Sequence, residues 1–331
     1  MSTESPTSIT GPSASQVAEA EILRQEVARQ HVVSQVLLRR WAVPNRQGSG
    51  LALVKFDLEH PDRNHKLKSP RACAYADHFV PVDSATIEAL WGGTEKRVPV
   101  LFAAIDGGDP FADDDTVQIY RDLVALHFAR SYRYRSVYRT SYEKAFESLR
   151  ANMLGPRREL LRREASRQTG LYLPSGSALE SFLDRILAES LPAKGFASGQ
   201  LFRESIESAF YKVRDLIASW QPELLRAKGA EFIVGDNPAV SIRWHQAQDL
   251  SKPVTIHTAV GDAHTVVLPL GPKHLVALGP KRMVAELEKP VVEWFNRIQV
   301  SAAYQHVFFK PSKNTLKSVR AASRSWRASD S

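Results

Sequence analysis

Apolar residues Leu23, Val27, Val33, Leu37 and Trp41 recur near the spacing of one helical face, and no proline interrupts them before Pro44. That pattern predicts a helix over 17–41. Residues 51–58 alternate apolar with polar and are rich in β-formers, which predicts a strand, and 72–82 is the expected partner in a hairpin. Asp83 or Ser84 caps a helix that ends near Leu90, where Gly92-Gly93 breaks it. A second helix starts at Thr94 and runs towards Ile105, with Pro99 inside it. Asp113, Asp114 and Asp115 suit a helix N-terminus, where carboxylates oppose the positive end of the dipole. The helix they open carries the stripe Val117, Tyr120, Val124, His127, Ser131, Tyr134 and Tyr138, and extends to Leu149. Helices are expected over 157–168, 177–191 and 198–225.

After Gly229 the texture changes to short β-like runs, 230–234, 239–244, 264–270 and 274–278, separated by Pro and Gly. A helix over 291–304 and a strand over 307–309 close the pattern, with Pro290 just ahead of the helix. The class is α+β: mainly a helical bundle, with a small N-terminal hairpin and a C-terminal antiparallel sheet. The expected organisation is a disordered leader over 1–16 and a single domain over 17–309. That domain is helical to about 228 and β-rich over 229–309, and a basic disordered tail follows over 310–331.

Composition changes this picture little. Hydrophobic residues make up 43% and charged residues 24%, an ordinary globular balance. The single cysteine, Cys73, excludes an internal disulfide and a cysteine-built zinc site, and reads as a small buried hydrophobe. No apolar run reaches the ~18 residues of a membrane helix. The Ser/Thr/Pro-rich start lacks a basic-then-apolar signal, so a cytoplasmic protein is expected.

The charge is more informative. The net charge is +8, and the tail from Lys310 carries +5 of it. Between Arg130 and Arg167 stand eleven basic residues against four glutamates. These basic helices and the tail make nucleic acid the candidate partner. Tyr132, Tyr134 and Tyr138 interleave with Arg130, Arg133, Arg135 and Arg139. That arrangement serves either base stacking or a tyrosine-lined core face.

Several constellations carry candidate chemistry. Asp236-Asn237-Pro238 ends a strand, and Pro238 stiffens the turn. Asp236 is a candidate base or ligand and Asn237 a candidate donor, against the plainer reading of an Asx turn. His31, Gln35 and Arg39 fall one helical turn apart. A histidine beside arginines suits phosphodiester chemistry, the histidine as acid or base and the arginines as a clamp. Asp57, His60, Asp62 and His65 share a loop, with a spacing that fits no strong metal template. Arg121 and His127 resemble the Arg-polar-His pattern of the all-helical HEPN ribonucleases, although His127 also lies in an apolar stripe. Phosphate-binding loops, dinucleotide fingerprints, nucleophile elbows and His-Glu-x-x-His are absent, and the residues name no cofactor or metal.

His31, Val33, Leu38, Arg39 and Arg40, with Trp41 for an aromatic, resemble the His-His-Tyr-Val-Pro…Leu-Arg-Arg-Phe signature of a bacterial domain family of unknown function, DUF4238. Ile87-Glu88 and Glu95 sit where that family has two spaced glutamates. Residues 232–238 match its strand ending in Asp-Asn-Pro, Val267 to Leu270 match its Pro-Leu strand, and Asn296 lies in its last helix. The resemblance spans about 29–309. Gln30, Val32 and Ser34 depart from the signature. If the paired histidines form a site in relatives, half of it is missing here.

Two readings stand open. In the first, His31, Asp236 and Asn237 are catalytic and Arg39, Arg40, Arg130 and Arg133 bind substrate. They then line one pocket, joined by Glu88 or Glu95, of a hydrolase acting on a phosphate-bearing substrate such as nucleic acid. In the second, the chain is a non-catalytic nucleic-acid or protein-binding module whose motif residues are structural. The oligomeric state is not legible.

Overall fold

The computed structural model describes residues 29–45, 49–63, 65–82, 84–174, 176–245, 252 and 254–330. The fold is α+β, as the patterning predicts. In chain order it opens with strand β1 (Arg29–His31), a short helix α1 (Gln35–Leu38), a 3-10 turn over Arg39–Trp41 and strand β2 (Val43–Pro44). Strands β3 (Leu51–Asp57), β4 (Lys66–Lys68) and β5 (Tyr75–Asp77) follow. The expected helix over 17–41 lies partly outside the described residues, and its described part is not one helix. β1 pairs antiparallel with β5, Gln30 opposite Ala76. The β-branched pair Val32-Val33 is buried just beyond that ladder, so burial and pairing override the helical spacing. The N-terminal hairpin also differs from expectation. β3 pairs with β2 and β4, while 72–82 yields only β5.

The helical part consists of α2 (Ser84–Asp106), α3 (Asp114–Ala129), α4 (Tyr132–Leu154), α5 (Arg158–Thr169), α6 (Ser177–Glu189), α7 (Leu191–Ser198) and α8 (Gln200–Leu216). Gly92-Gly93 does not break α2. Each interior glycine costs about 1 kcal/mol relative to alanine, and burial of Ile87, Trp91, Val98, Leu101 and Ile105 along the same helix outweighs that. α3 is buried along most of its length, Asp122 and His127 included, and runs through the core. It does not continue into α4. Ser131 accepts a hydrogen bond from the Tyr134 amide and starts a new helix, leaving Arg130 at the junction. α5, α6 and the end of α4 close a separate small core around Leu161, Leu179, Phe182 and Leu183.

Strands β6 (Gln221–Ala227), β8 (Val240–Trp244), β9 (Val254–Ile256), β10 (Thr265–Gly271), β11 (His274–Gly279) and β12 (Met283–Leu287) form a sheet in the order β12-β6-β11-β10-β8-β9. Alternation sorts its two faces. Leu224, Val266, Val276 and Leu278 enter the main core. Leu225, Val267 and Ala277 face α9 (Lys289–Ala302) through Val292 and Phe295. A second sheet joins both ends of the chain: β3 pairs with β13 (His306–Phe309), which pairs with β7 (Val234–Gly235).

The basic tail departs from the expectation of disorder. Residues 313–330 form α10 (Lys313–Asp330), which buries Val319 and Ser323. Arg320 donates to the Pro61 carbonyl and Arg324 pairs with Asp62. The spacing of Leu316, Val319 and Ser323 is a narrow helical stripe, enough to dock on α9 although most of the helix is polar. No helix among the described residues is long and apolar enough to cross a membrane.

Candidate functional site

The end of β1 delivers two different side chains. Gln30 points inward, where its amide donates to the Val80 carbonyl (3.2 Å) and accepts from the Val80 amide (2.6 Å). It imitates a strand ladder, which suits glutamine at the position where the signature has its first histidine. His31 is half-buried beside the Tyr75 ring. Its Nε2 lies 3.2 Å from the Arg71 carbonyl, and its Nδ1 lies 3.4 Å from the Gln35 amide nitrogen. The carbonyl contact fixes the proton on Nε2, and the Nδ1 lone pair accepts from the Gln35 amide. Burial, helped by the Arg130 charge, lowers the His31 pKa, so the ring is neutral at pH 7.

Helix α2 contributes the acids. Glu88, Trp91, Gly92 and Glu95 share one face by helical spacing. A Cβ at Gly92 would meet nothing within 4 Å, so the helix surface at Gly92 is open. Arg130 enters from the α3–α4 junction and is 1% exposed. Its guanidinium lies 4.9 Å from the Trp91 ring centroid, and its Nη2 donates to Glu95 Oε1 at 2.7 Å and to Ser34 Oγ at 2.8 Å. Ser34 Oγ in turn donates to Glu95 Oε1 at 2.6 Å. Burial alone would raise Glu95, but the Arg130 charge and these hydrogen bonds carry its carboxyl below the usual range. Glu88 goes the other way. Burial pushes its pKa up, the Glu95 charge adds to this, and Arg130 only partly offsets it. Glu88 Oε1 and Arg130 Nε are buried without a hydrogen-bond partner.

His127 holds this cluster from behind. Its Nδ1 donates to the Leu123 carbonyl at 2.8 Å and its Nε2 accepts the Ser34 amide at 3.2 Å. Burial depresses its pKa to about 3. Its folded value lies below the unfolded one. The unfolded chain therefore binds the extra proton between those values, and stability falls as pH drops through that window. The expected loss from this residue between pH 7 and pH 5 is about 2 kcal/mol. Urea unfolding of the wild type and His127→Gln at both pH values checks it: the variant should show a pH difference smaller by that amount.

The other expected site residues lie elsewhere. Arg39 is exposed. Arg40 makes two hydrogen bonds to Asp106 (2.5 and 2.8 Å) and lies over Phe102, tying the 3-10 turn to the end of α2. Arg133 is exposed on α4, with its charge near His257. Asp236 is 1% exposed and accepts the backbone amides of Tyr304, Gln305 and His306 at 2.6, 2.8 and 2.8 Å. Burial pushes its carboxyl up to about 6 against those three donors. Asn237 donates to the Ala302 carbonyl, and Gln299 and Asn296 clamp the same strand from α9. The Asp-Asn-Pro turn is thus a clasp between β7, α9 and β13. The charges of Arg130 and Glu95 act on both His31 and Glu88, while Asp236 and Asn237 are engaged in that clasp instead.

The remaining constellations resolve by packing. Arg121 donates to the Trp220 carbonyl while His127 is fully buried, so the two do not form the Arg–His pair of the ribonuclease pattern. Tyr132, Tyr134, Tyr138 and Tyr142 stack along Phe79, Phe196, Phe202 and Tyr304, with Tyr142 and Phe196 3.7 Å apart and nearly parallel. Their rings are spent on the seam between α4 and its neighbours. The loop set also divides. Asp57 and His60 stay together with Glu59 in a group whose ligand atoms lie within 4.8 Å, while Asp62 pairs with Arg324 and His65 lies against Phe56. Asp57 accepts the Glu59 and His60 amides, so turn hydrogen bonding accounts for that geometry. Cys73 is buried, and burial pushes its thiol up to about 11, far from a reactive thiolate.

A family model described as a protein of unknown function, DUF4238, matches residues 29–313. The chain belongs to this family. In this DUF4238 member the signature, the two spaced glutamates and the Asp-Asn-Pro strand all fall inside the matched span. The fold brings the first two into one cluster and sends the third to the clasp. No curated protein and no solved structure matches the chain. Sequence reasoning placed Glu88 and Glu95 only at the margin of the site and took Ser34 for a departure from the signature. The signal for both was present, since glutamates separated by two helical turns flank a glycine.

Proposed function

We propose that this DUF4238 member is a hydrolase of phosphate-bearing substrates, plausibly nucleic acid, with its acid–base pair at His31 and Glu88. The observation that carries the reading is the opposed tuning of these two groups around one buried Arg130–Glu95 pair. A histidine held neutral and a carboxylic acid with a raised pKa are the form an acid–base pair takes near neutral pH. In this scheme His31 Nδ1 gives up its long contact with the Gln35 amide and takes a proton from water as the water oxygen attacks phosphorus. Glu88 gives its proton to the leaving alkoxide, which yields a phosphomonoester and an alcohol. Arg130 and Arg71 supply positive charge beside His31. The basic surface of α4 and α5 suits a polyanion.

The test is cleavage of labelled single-stranded RNA, single-stranded DNA and duplex DNA, with and without Mg²⁺ or Mn²⁺. His31→Gln and Glu88→Gln should each lower kcat by roughly a hundredfold or more. The sign of each pH limb is distinct. Activity needs His31 deprotonated and Glu88 protonated, so His31→Gln removes the acidic limb and Glu88→Gln the alkaline one.

The alternative, a non-catalytic binding module, is favoured by the clasp, because Asp236, Asn237 and Gln30 spend their polar atoms on backbone. Binding of these nucleic acids without cleavage, unaltered by either substitution, would decide for it.

A further inference from the structure

A concavity lies on the α9 side of the six-stranded sheet. α9 covers only part of the face formed by Leu225, Val267 and Ala277, and beyond its first turns the face stays open as a cleft of about 1000 Å³. The register explains its shape. Glu223 pairs across to Ala277 and Ala277 to Val267, so one row of the sheet presents a carboxylate, a small floor residue and an apolar one. Trp220 and Trp244 line the cleft, with Phe295 of α9. Trp244 is held by a near-parallel stack on Trp294, ring centroids 5.4 Å apart.

Glu223 is the unusual member. It is the only carboxylate among the lining residues, and it makes no hydrogen bond or ion pair among the described residues. Burial raises its pKa, and the exposed Lys281 nearby compensates only in part. A carboxylate among aromatic and aliphatic walls lacks a donor of its own, and it shares the cleft with two tryptophans, whose rings attract cations. A cleft of this size, mostly apolar with few polar groups, has the form of a small-molecule site.

We infer that this cleft binds a small organic cation, an amine carried on an aromatic or apolar body, with the ammonium on Glu223 and the body against Trp220 and Trp244. The inference goes beyond the proposed hydrolase and does not rest on it, since the cleft shares no residue with the His31 cluster.

Calorimetric titration of the full chain tests it, with tryptamine, tyramine and benzamidine as probes and indole-3-propionate as the anionic counterpart of tryptamine. Expected is binding of at least one amine, with indole-3-propionate much weaker than tryptamine. Glu223→Gln should weaken the amine about tenfold or more, the loss of one charge-assisted hydrogen bond. Lys281→Glu alters only an exposed side chain and should tighten the amine, which keeps the test informative if Glu223→Gln folds poorly. No binding of any amine at millimolar concentration, equal binding of indole-3-propionate, or indifference to both substitutions would overturn the inference.

Discussion

Arg130→Met lowers the unfolding free energy by about 3–5 kcal/mol, the cost of removing one partner from a buried ion pair. Arg130 is almost wholly buried, and Glu95, its partner, keeps 29% of its side-chain exposure. Without the guanidinium, Glu95 and Ser34 lose their shared donor, and Glu95 faces Glu88 with no cation between the two. Methionine fills the space above Trp91 but donates nothing. Urea unfolding of the variant should show a midpoint well below that of the wild type, with the slope unchanged. Arg130→Met/Glu95→Gln should recover part of the loss, because the uncompensated charge goes with the carboxylate. A loss below about 1 kcal/mol for Arg130→Met, a value typical of exposed pairs, would mean that the pair does not hold this cluster together. The same variant should raise the His31 pKa, since the Arg130 charge helps to lower it, and NMR titration of the imidazole reads that shift.

Asp236→Ala should cost at least about 3 kcal/mol. Three backbone amides lose an acceptor that is itself almost wholly buried, and each unsatisfied group costs about 1–3 kcal/mol. Asp236→Asn keeps one acceptor oxygen but turns an amino group towards donors, so its loss should be intermediate. Denaturation of both variants checks the order. If the clasp is structural, refolded Asp236→Asn should retain whatever nucleic-acid cleavage the wild type shows. Loss of cleavage in a well-folded Asp236→Asn would return this residue to the active site.

These two residues also mark how far the chain could be read without coordinates. The α+β class and the stiff turn at Asp236-Asn237-Pro238 were visible as period and proline, both local signals. The start of the sheet was not: the expected helix over 198–225 ends at Leu216, and 221–227 become β6, because pairing with β11 and β12 overrides the helical spacing. The burial of Asp236 was not, because its partners lie on a segment about seventy residues later and are backbone amides that no side-chain pattern advertises. His31 was legible as a candidate but not as a strand residue. The apolar residues around it repeat at helical spacing, and only pairing with Tyr75 to Asp77 decides for β1. Gly92-Gly93 reads as a break, and burial of the surrounding apolar face overrides it. The polar C-terminal stretch reads as disordered until a narrow stripe with Val319 at its centre finds α9.

By itself the sequence determined the fold class, the family and the inventory of polar residues available for chemistry, because each is carried by composition, period or motif order. The tertiary structure decided which of those residues meet. Burial and charge act through space, so a serine from the signature, a glutamate beside a helical glycine and an arginine at a helix junction become one network. The Asp-Asn-Pro turn, equally prominent along the chain, is drawn into holding three segments together.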